Sequence, residues 1–299
     1  MRKETITKFE VGERLDKALA ASYPQYSRSA LEKLIDSGSV TVNGDTVKTK
    51  YKLKAGDEIE ADLAVFNQSP PKIDLPIIYE DDDVVVINKP AGLLTHAKGT
   101  LHNEATVATW LKTYCARMNP ATGMILAKQV FWESNRAGIV HRLDRGTSGV
   151  MICTKNEAAQ IHLQKQFADR RVKKTYVAVV SGSLPEKSGL IDIPIERNPK
   201  KPATFRAGVN GKSAQTDFAV LKTDDTHSLV ELKPYTGRTH QLRVHLAHLK
   251  HPIVGDDQYD GEPAERLMLH AKELEITLPS NERKVFTADV PEDIASMLG

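Results

Sequence analysis

The chain has 299 residues, of which 40% are hydrophobic and 27% charged, with a formal net charge of +2. This length allows a buried core in one large domain plus a small accessory one, while no stretch reaches the roughly 18 apolar residues of a membrane span. Cys115 and Cys153 lie far apart without Cys-x-x-Cys spacing, which argues against both a disulfide framework and a thiolate metal site.

The N-terminus continues directly into charged sequence and has no apolar core of a signal peptide, so we expect a cytoplasmic protein. Apolar residues then repeat at helical spacing from 15 to 19. A second helix is predicted by Ser27 as its N-cap and by Gly38 as its stop. Its apolar face is formed by Leu31, Leu34 and Ile35.

A hairpin is predicted to follow these two helices. Val40 and Val42 alternate with polar residues before Asn43-Gly44, a dipeptide typical of hairpin turns. A second turn at 54–57 precedes Ile59. Residues 1–62 are therefore predicted to form a domain with the order helix, helix, hairpin.

Three short segments within residues 12–60 match a known pattern. They are Glu13-Arg14-Leu15-Asp16, Ser27-Arg28-Ser29 and the stretch 38–44. Together they resemble the small ribosomal-protein-type (S-four-like) RNA-binding domain. Because acids and bases balance over residues 1–62, any RNA contact would come from a local face. The alternative is a plain helical hairpin with solvated charges. The candidate RNA-binding residues are Arg14, Lys17, Arg28 and Lys33.

Residues 63–76 have turn-forming and extended character and are predicted to be a linker. A second domain, 77–299, begins with two predicted strands, at 77–80 and 84–87, on either side of an acidic turn. Strands interspersed with helices predict an α+β fold with a mixed, largely antiparallel sheet. Further strands are predicted at 176–180, 218–221 and 229–232, and a helix at 157–169.

Two groups of side chains are of types that bind metal ions, but their spacing does not fit a metal site. Three consecutive carboxylates, Asp81 to Asp83, point in different directions and usually mark a solvated turn. His245 and His248 could share a helix face, but no Cys or carboxylate completes a set, so polar packing or RNA contact is favoured. No glycine-rich phosphate loop or dinucleotide loop is present. We therefore predict no metal and no cofactor.

The most informative stretch is 139–151, which reads Ile-Val-His-Arg-Leu-Asp-Arg-Gly-Thr-Ser-Gly-Val-Met. Apolar residues at both ends predict the order strand, loop, strand, and two glycines permit tight turns. The acid, Asp144, stands between Arg142 and Arg145. On this segment alone, an ion-paired structural turn is the favoured interpretation.

Three further segments weaken this structural interpretation. They are 88–96, beginning Asn-Lys-Pro; 173–178, reading Lys-Lys-Thr-Tyr-Val-Ala; and 236–246, beginning Thr-Gly-Arg-Thr-His-Gln. With 139–151, they resemble in order the motifs of the RluA-type family of RNA pseudouridine synthases. The sequence departs from the family in an extra segment at 118–137 and in Asp260, which follows Tyr259 where the family usually has Gly.

The resemblance implies a role for each matching position. Asp144 would be the catalytic carboxylate, Arg243 its guanidinium partner, and Tyr176 the ring on the uracil face. Arg142 would enter the space left by an extruded nucleotide. The other two substrate-binding candidates are Leu242, as apolar wall, and His141, as a residue that shapes the loop.

RNA is the expected partner, with no membrane contact and a monomeric chain. Residues 142–174 hold eight Lys or Arg against three acids, while the tail 256–299 holds four against eleven. Such charge segregation permits a polyanion-binding face. The N-terminal domain resembles those of relatives that act on large-subunit ribosomal RNA, so rRNA is favoured over tRNA. Two alternatives are a non-catalytic RNA-binding or ribosome-assembly protein and a glycosidase that releases uracil.

Overall fold

The computed structural model describes residues 4–67, 70–97, 104–118, 136 and 138–297. The chain divides into two compact units, Met1–Ile73 with Ala97–Ala105, and Asp74–His96 with Thr106–Gly299. Within the described ranges, no helix has the length and apolar character needed to cross a membrane. The extra segment 118–137 lies almost entirely outside the described residues. The boundaries of the predicted linker remain a prediction.

The N-terminal unit has the predicted helix-helix-hairpin order. Ser27 caps the second helix, since its Oγ accepts a hydrogen bond of 3.3 Å from the Ala30 N–H. Asn43 and Gly44 both have positive φ, 55° and 85°, as a tight hairpin turn requires. An antiparallel sheet of order β1-β4-β2-β3 packs on the helices. The elements are β1 (Glu4–Ile6), α1 (Leu15–Ser22), α2 (Arg28–Asp36), β2 (Val40–Val42), β3 (Asp45–Thr46), β4 (Ile59–Ala61) and a 3-10 helix (Ala64–Asn67).

The larger unit is built on a nine-stranded sheet of order β5-β6-β7-β14-β8-β13-β12-β9, with β15 paired to β14. Among the described strands of this sheet, every pairing is antiparallel except β7 with β14, which confirms the largely antiparallel α+β fold. The strands are β5 (Ile77–Glu80), β6 (Val84–Lys89), β7 (Ser148–Thr154), β8 (Lys173–Ser181), β9 (Ser188–Asp192), β12 (Gln215–Thr223), β13 (His227–Pro234), β14 (Leu269–Thr277) and β15 (Arg283–Thr287). A separate pair is β10 (Ile195–Arg197) and β11 (Phe205–Ala207), and the helices are α3 (Val107–Met118), α4 (Glu157–Ala168), α5 (Gln241–His248) and α6 (Glu292–Ala295).

The middle of this sheet is covered on both faces. Residues 84–87 of β6 and all of β7 are buried, as expected for continuous apolar runs without alternation. The stretch 139–151 is a strand only in its last four residues, 148–151. Ile139 makes a single isolated bridge to Cys153, and the chain stays in a loop until β7 begins. That loop, the neighbouring strand β8 and helix α5 together position the site.

Helix α5 is fixed against the sheet by Gln241. Its Oε1 accepts hydrogen bonds from the Arg238 N–H at 3.0 Å and the Thr236 Oγ1 at 2.7 Å. Its Nε2 donates to the Gln215 carbonyl and to Thr216 Oγ1, both at 2.9 Å. Because Gln241 is buried and fully hydrogen-bonded, the residues beside it on α5 have a fixed orientation.

Candidate active site

A cavity of about 110 Å³ lies where the loop before β7, strand β8 and the start of α5 meet. Asp144, Tyr176 and Arg243 all line it. Arg142 and Leu242 line it as well, while His141 does not. Five of the six candidates for catalysis and substrate contact therefore lie together, although Arg142 and Arg243 are 101 positions apart in the sequence.

The Asp144 loop is held by hydrogen bonds from the segment 88–96. Thr95 Oγ1 donates to the Leu143 carbonyl at 2.8 Å and accepts from the Leu143 N–H at 3.2 Å. The loop also closes on itself, because the Asp144 carbonyl accepts from the Thr147 N–H at 3.1 Å. With Leu143 buried beneath it, the Asp144 side chain is directed into the cavity.

Lys89 is a fully buried lysine below this loop, and the sequence analysis did not identify it. Its Nζ donates to the carbonyl oxygens of Pro90, Leu93 and Arg145, at 2.9, 2.8 and 3.3 Å. Burial lowers the pKa of Lys89 to about 7, although the nearby Asp144 charge opposes that shift. Lys89 thus ties the segment 88–96 to the residue after Asp144. The sequence did contain a signal for this residue, namely a lysine at the end of an apolar strand and directly before a proline.

Arg243 is a buried residue of α5 that lies between two carboxylates. Its Nε and Nη2 form a bidentate pair with Asp256, at 2.7 and 2.6 Å, and Nη2 also donates to Gln258 at 3.1 Å. Its Nη1 lies 3.7 Å from Asp144 Oδ2. The family resemblance implies Asp144 as the partner of this guanidinium. The structure directs the fork to Asp256, whose side chain is completely buried, and one nitrogen remains towards Asp144.

Tyr176 and Lys174 project from the same face of β8, because they are two residues apart on a strand. Both line the cavity. Burial raises the pKa of Tyr176, so its hydroxyl keeps its proton at neutral pH. Burial lowers the pKa of Lys174 to about 8, and its Nζ donates to the Thr236 carbonyl at 3.2 Å.

Arg142 and His141 are neighbours in sequence but face different surroundings. Arg142 is exposed at the cavity and makes no hydrogen bond or ion pair with any described residue. The His141 ring stacks on Phe167 with a centroid distance of 4.8 Å. Its Nε2 accepts from the Ile152 N–H at 3.1 Å, which requires a neutral ring, and burial lowers its pKa to about 3. His141 therefore supports the loop from outside the cavity.

The four basic candidates of the N-terminal unit fall into two pairs. Arg14 and Arg28 both bind the Asp16 carboxylate, which is inaccessible to solvent. Burial would raise the pKa of Asp16, but hydrogen bonds from the two guanidinium groups hold it below its usual value. Lys17 and Lys33 are exposed. The sequence pattern gave no sign that the two arginines share a buried acid.

The two groups that could bind metal by residue type, the acidic turn 81–83 and the histidines of α5, contain side chains that stabilise the fold. Asp81 Oδ1 accepts from the N–H groups of Asp83 and Val84, both at 2.8 Å, and so stabilises the acidic turn. His245 is buried, with its ring nitrogens 3.0 Å from Thr216 Oγ1 and from the Ile193 carbonyl. Among the described residues, no group of three or more His, Cys, Asp or Glu could hold a metal ion.

Comparison with known families gives two matches. Residues 83–248 match the model of the RNA pseudouridylate synthases, and residues 13–59 match the S4 domain. The first match includes Asp144, Tyr176 and Arg243, and the second includes all four basic candidates of the N-terminal unit.

Similar proteins extend over nearly the whole chain. An uncharacterized RNA pseudouridine synthase of Bacillus subtilis (strain 168) is 34% identical, covering 98% of this chain and 96% of its own. The ribosomal large subunit pseudouridine synthase D of Yersinia pestis is also 34% identical, covering 98% and 92%. Among solved structures, human RNA pseudouridylate synthase domain containing 1 has a TM-score of 0.57 and 31% identity, covering 72% of this chain and 83% of its own.

Proposed function

Because the chain belongs to the family of RNA pseudouridylate synthases, isomerases that convert uridine to pseudouridine in RNA, we propose that Asp144 is its catalytic carboxylate and large-subunit ribosomal RNA its substrate. The observation that carries the catalytic assignment is the shared cavity of Asp144, Tyr176 and Arg243. The rRNA assignment is supported by relatives named ribosomal large subunit pseudouridine synthase D and by the S4 domain.

The reaction breaks the bond from ribose C1′ to uracil N1 and forms a bond from C1′ to C5. The proton on C5 leaves, N1 gains a proton, and nothing is oxidised or reduced. An ionised Asp144 can add to C1′ or remove a proton from the adjacent C2′, as carboxylates do in related sugar chemistry. Both roles need a carboxylate held in place beside the sugar, and the hydrogen bonds that hold the Asp144 loop support such a role.

The other lining residues suit the handling of a detached base. The ring of Tyr176 offers a flat surface on which uracil can stack and still rotate. Arg142 has no protein partner among the described residues, so it can occupy the place of the extruded nucleotide without breaking a protein contact. Extrusion costs a few kcal/mol, and such a replacement offsets part of that cost. Leu242 contributes an apolar wall.

We further propose a monomeric enzyme that acts where ribosomal RNA is made and processed, in the cytoplasm. The pair Arg243–Asp256 and the hydrogen bonds of the buried Lys89 stabilise the residues around the cavity.

The test is Asp144→Asn, which preserves shape and removes the negative charge. We expect the variant to fold and bind RNA but to lose isomerisation by a factor on the order of a thousand or more. The measurement is tritium release from RNA labelled at uridine C5, beside a thermal melt of the same preparation. Asp225→Asn, an exposed aspartate outside the cavity, is the matched control.

The same assay separates the alternatives. A glycosidase would release free uracil, and a non-catalytic RNA-binding protein would release no tritium even as the unmodified chain. A well-folded Asp144→Asn variant with substantial tritium release would rule out Asp144 as the catalytic group. Mapping pseudouridines across total RNA with and without the gene would identify the RNA and the uridine.

A further inference from the structure

His240 lies beside Asp144 in a position that the proposed chemistry has not yet used. It lines the cavity, and its Nε2 is 3.9 Å from Asp144 Oδ2. Its Nδ1 is 2.7 Å from the hydroxyl oxygen of Tyr259. The two ring nitrogens thus face a carboxylate on one side and a phenol on the other. If the ring proton is on Nε2, Asp144 faces an N–H donor; if it is on Nδ1, Asp144 faces a lone pair.

The hydrogen bonds of Tyr259 determine which nitrogen of His240 carries the ring proton. Its hydroxyl oxygen already accepts from the Phe205 N–H at 2.9 Å. Its own proton needs an acceptor, because Tyr259 is only 9% exposed, and His240 Nδ1 is the acceptor within hydrogen-bond distance among the described residues. With Nδ1 accepting, a neutral His240 carries its proton on Nε2. The Nε2–H then faces Asp144.

The surroundings favour the neutral ring. Burial lowers the pKa of His240; Arg243 and Arg142 lower it further, while Asp144 and Asp256 oppose the shift. Burial also raises the pKa of Tyr259, so the phenol keeps the proton that it donates. These charges face His240 from the Asp144 loop, from α5 and from the segment that follows α5.

Asp144 has few other donors among the residues that the structure describes. The Arg243 fork is bound to Asp256, which leaves only Nη1 at 3.7 Å from the Asp144 carboxylate. A separation of 3.9 Å from His240 Nε2 is longer than a hydrogen bond, but such contacts in unliganded sites commonly shorten in the complex with substrate. His240 is also held in the left-handed region, at φ 57° and ψ 21°. Such strain in a non-glycine residue is frequent at functional sites.

Resting on the proposed function, we propose that Tyr259 fixes the tautomer of His240 so that the Nε2–H orients the Asp144 carboxylate for attack at the sugar. His240 is then a positioning residue and Tyr259 its orienting partner. A neutral N–H donor can hold the carboxylate in place and leave its negative charge intact.

The first test is spectroscopic. In protein with ¹⁵N-labelled histidine, NMR distinguishes a ring protonated at Nε2 from one protonated at Nδ1, and the His240→Gln variant assigns the signal. We expect Nε2–H in the unmodified protein and a shift towards Nδ1–H in Tyr259→Phe. The phenylalanine keeps the ring whose face lies 4.9 Å from the Arg243 guanidinium. An unchanged tautomer in Tyr259→Phe would overturn the proposal.

The second test is kinetic. His240→Ala should lower kcat roughly tenfold to a hundredfold, the value of a hydrogen bond to a charged group, with KM for RNA little changed. His240→Gln should recover part of that loss, because its amide N–H can reach Asp144. A merely structural His240 would predict equal kcat in the Ala and Gln variants once corrected for folded fraction, and that result would overturn the proposal. Failure of the proposed function would instead appear as no tritium release by the unmodified protein, while the tautomer could still be measured.

Discussion

At the scale of single residues, the Arg243 guanidinium faces two carboxylates, since it binds Asp256 and lies 3.7 Å from Asp144. Lysine has a point charge without a fork and cannot bind Asp256 through two parallel hydrogen bonds while approaching Asp144. We expect Arg243→Lys to lower kcat at least tenfold and the free energy of unfolding by about 1–3 kcal/mol. Tritium release and urea denaturation measure the two effects.

Arg206→Lys is the matched control, since Arg206 is exposed, lies outside the cavity and pairs with Glu196 at the surface. The unfolding free energy of this control should stay within about 0.5 kcal/mol of the unmodified protein. Equal stability of Arg243→Lys and the control would contradict the assignment of Arg243 as a buried bidentate partner.

Sequence reasoning identified Asp144, Tyr176 and Arg243 through a family resemblance, and the structure places them in one cavity. It could not identify how they are supported. The partner of Arg243 is an acid 13 residues further on, one of several in an acidic stretch, and only the fold selects it. The contact from His240 to Tyr259 likewise depends on how the segment after α5 returns to the helix. Their roles in catalysis remain proposals.

At the scale of elements, the approach of β7 to β14 depends on Gly149. This residue has φ +115°, and a Cβ there would lie 2.2 Å from the Ala271 carbonyl oxygen. We expect Gly149→Ala to separate the only parallel strand pair of the described sheet and to destabilise the protein by several kcal/mol. The Asp144 loop leads directly into β7, so activity should fall with stability. Thermal melts and tritium release would show both losses.

Gly92→Ala provides the control for backbone strain alone. Gly92 has φ +84°, but a Cβ there would meet no atom within 4 Å. Its substitution should cost only about 1–2 kcal/mol, the strain of a left-handed residue. If Gly149→Ala were no more destabilising than Gly92→Ala, the close approach to Ala271 would not be the reason for glycine.

Elements with a clear hydrophobic period or a characteristic cap or turn residue could be predicted from the sequence. The pairing of distant elements could not. The cap at Ser27, the hairpin turn at Asn43 and the helix at 157–169 all follow from local chemistry. The stretch before Asp144 was wrongly predicted as a strand, because Ile139 and Val140 are apolar yet only one of them bridges to the sheet. The parallel pairing of β7 with β14 joins residues about 120 positions apart, which no local pattern specifies.

At the scale of the whole molecule, the fold concentrates charge that the net value of +2 conceals. A cavity of about 440 Å³ beside the candidate active site is lined, within the described part of the chain, by four basic side chains and no acidic one. Three of these cations, Arg142, Arg170 and Lys174, come from the basic stretch 142–174, and Arg238 joins them from another part of the chain. The sequence indicated an excess of positive charge in residues 142–174. The fold determines which of these basic residues lie around the cavity.

In the N-terminal unit, the exposed lysines and the paired arginines should behave differently. Lys17 and Lys33 are exposed, whereas Arg14 and Arg28 bind the buried Asp16. Each lysine that contacts a phosphate releases a counterion, so removing it should lower the slope of log affinity against log salt by about 1. We expect the double variant Lys17→Ala, Lys33→Ala to bind RNA more weakly, with a slope smaller by about 2 and unfolding free energy within about 0.5 kcal/mol of the unmodified protein.

Lys50→Ala with Lys54→Ala is the matched control, because it removes the same charge from two other exposed positions of this unit. If Lys17 and Lys33 contact phosphates, the two doubles must differ in salt slope although their net charge is the same. Arg28→Ala, by contrast, should destabilise the unit, since it removes one of the two guanidinium partners of a carboxylate that water cannot reach. Filter-binding titrations of labelled ribosomal RNA between 50 and 200 mM salt, roughly the range over which such contacts change affinity most, measure the slopes. Equal slopes for the two lysine doubles would show that net charge, and not a local face, governs RNA binding by this unit.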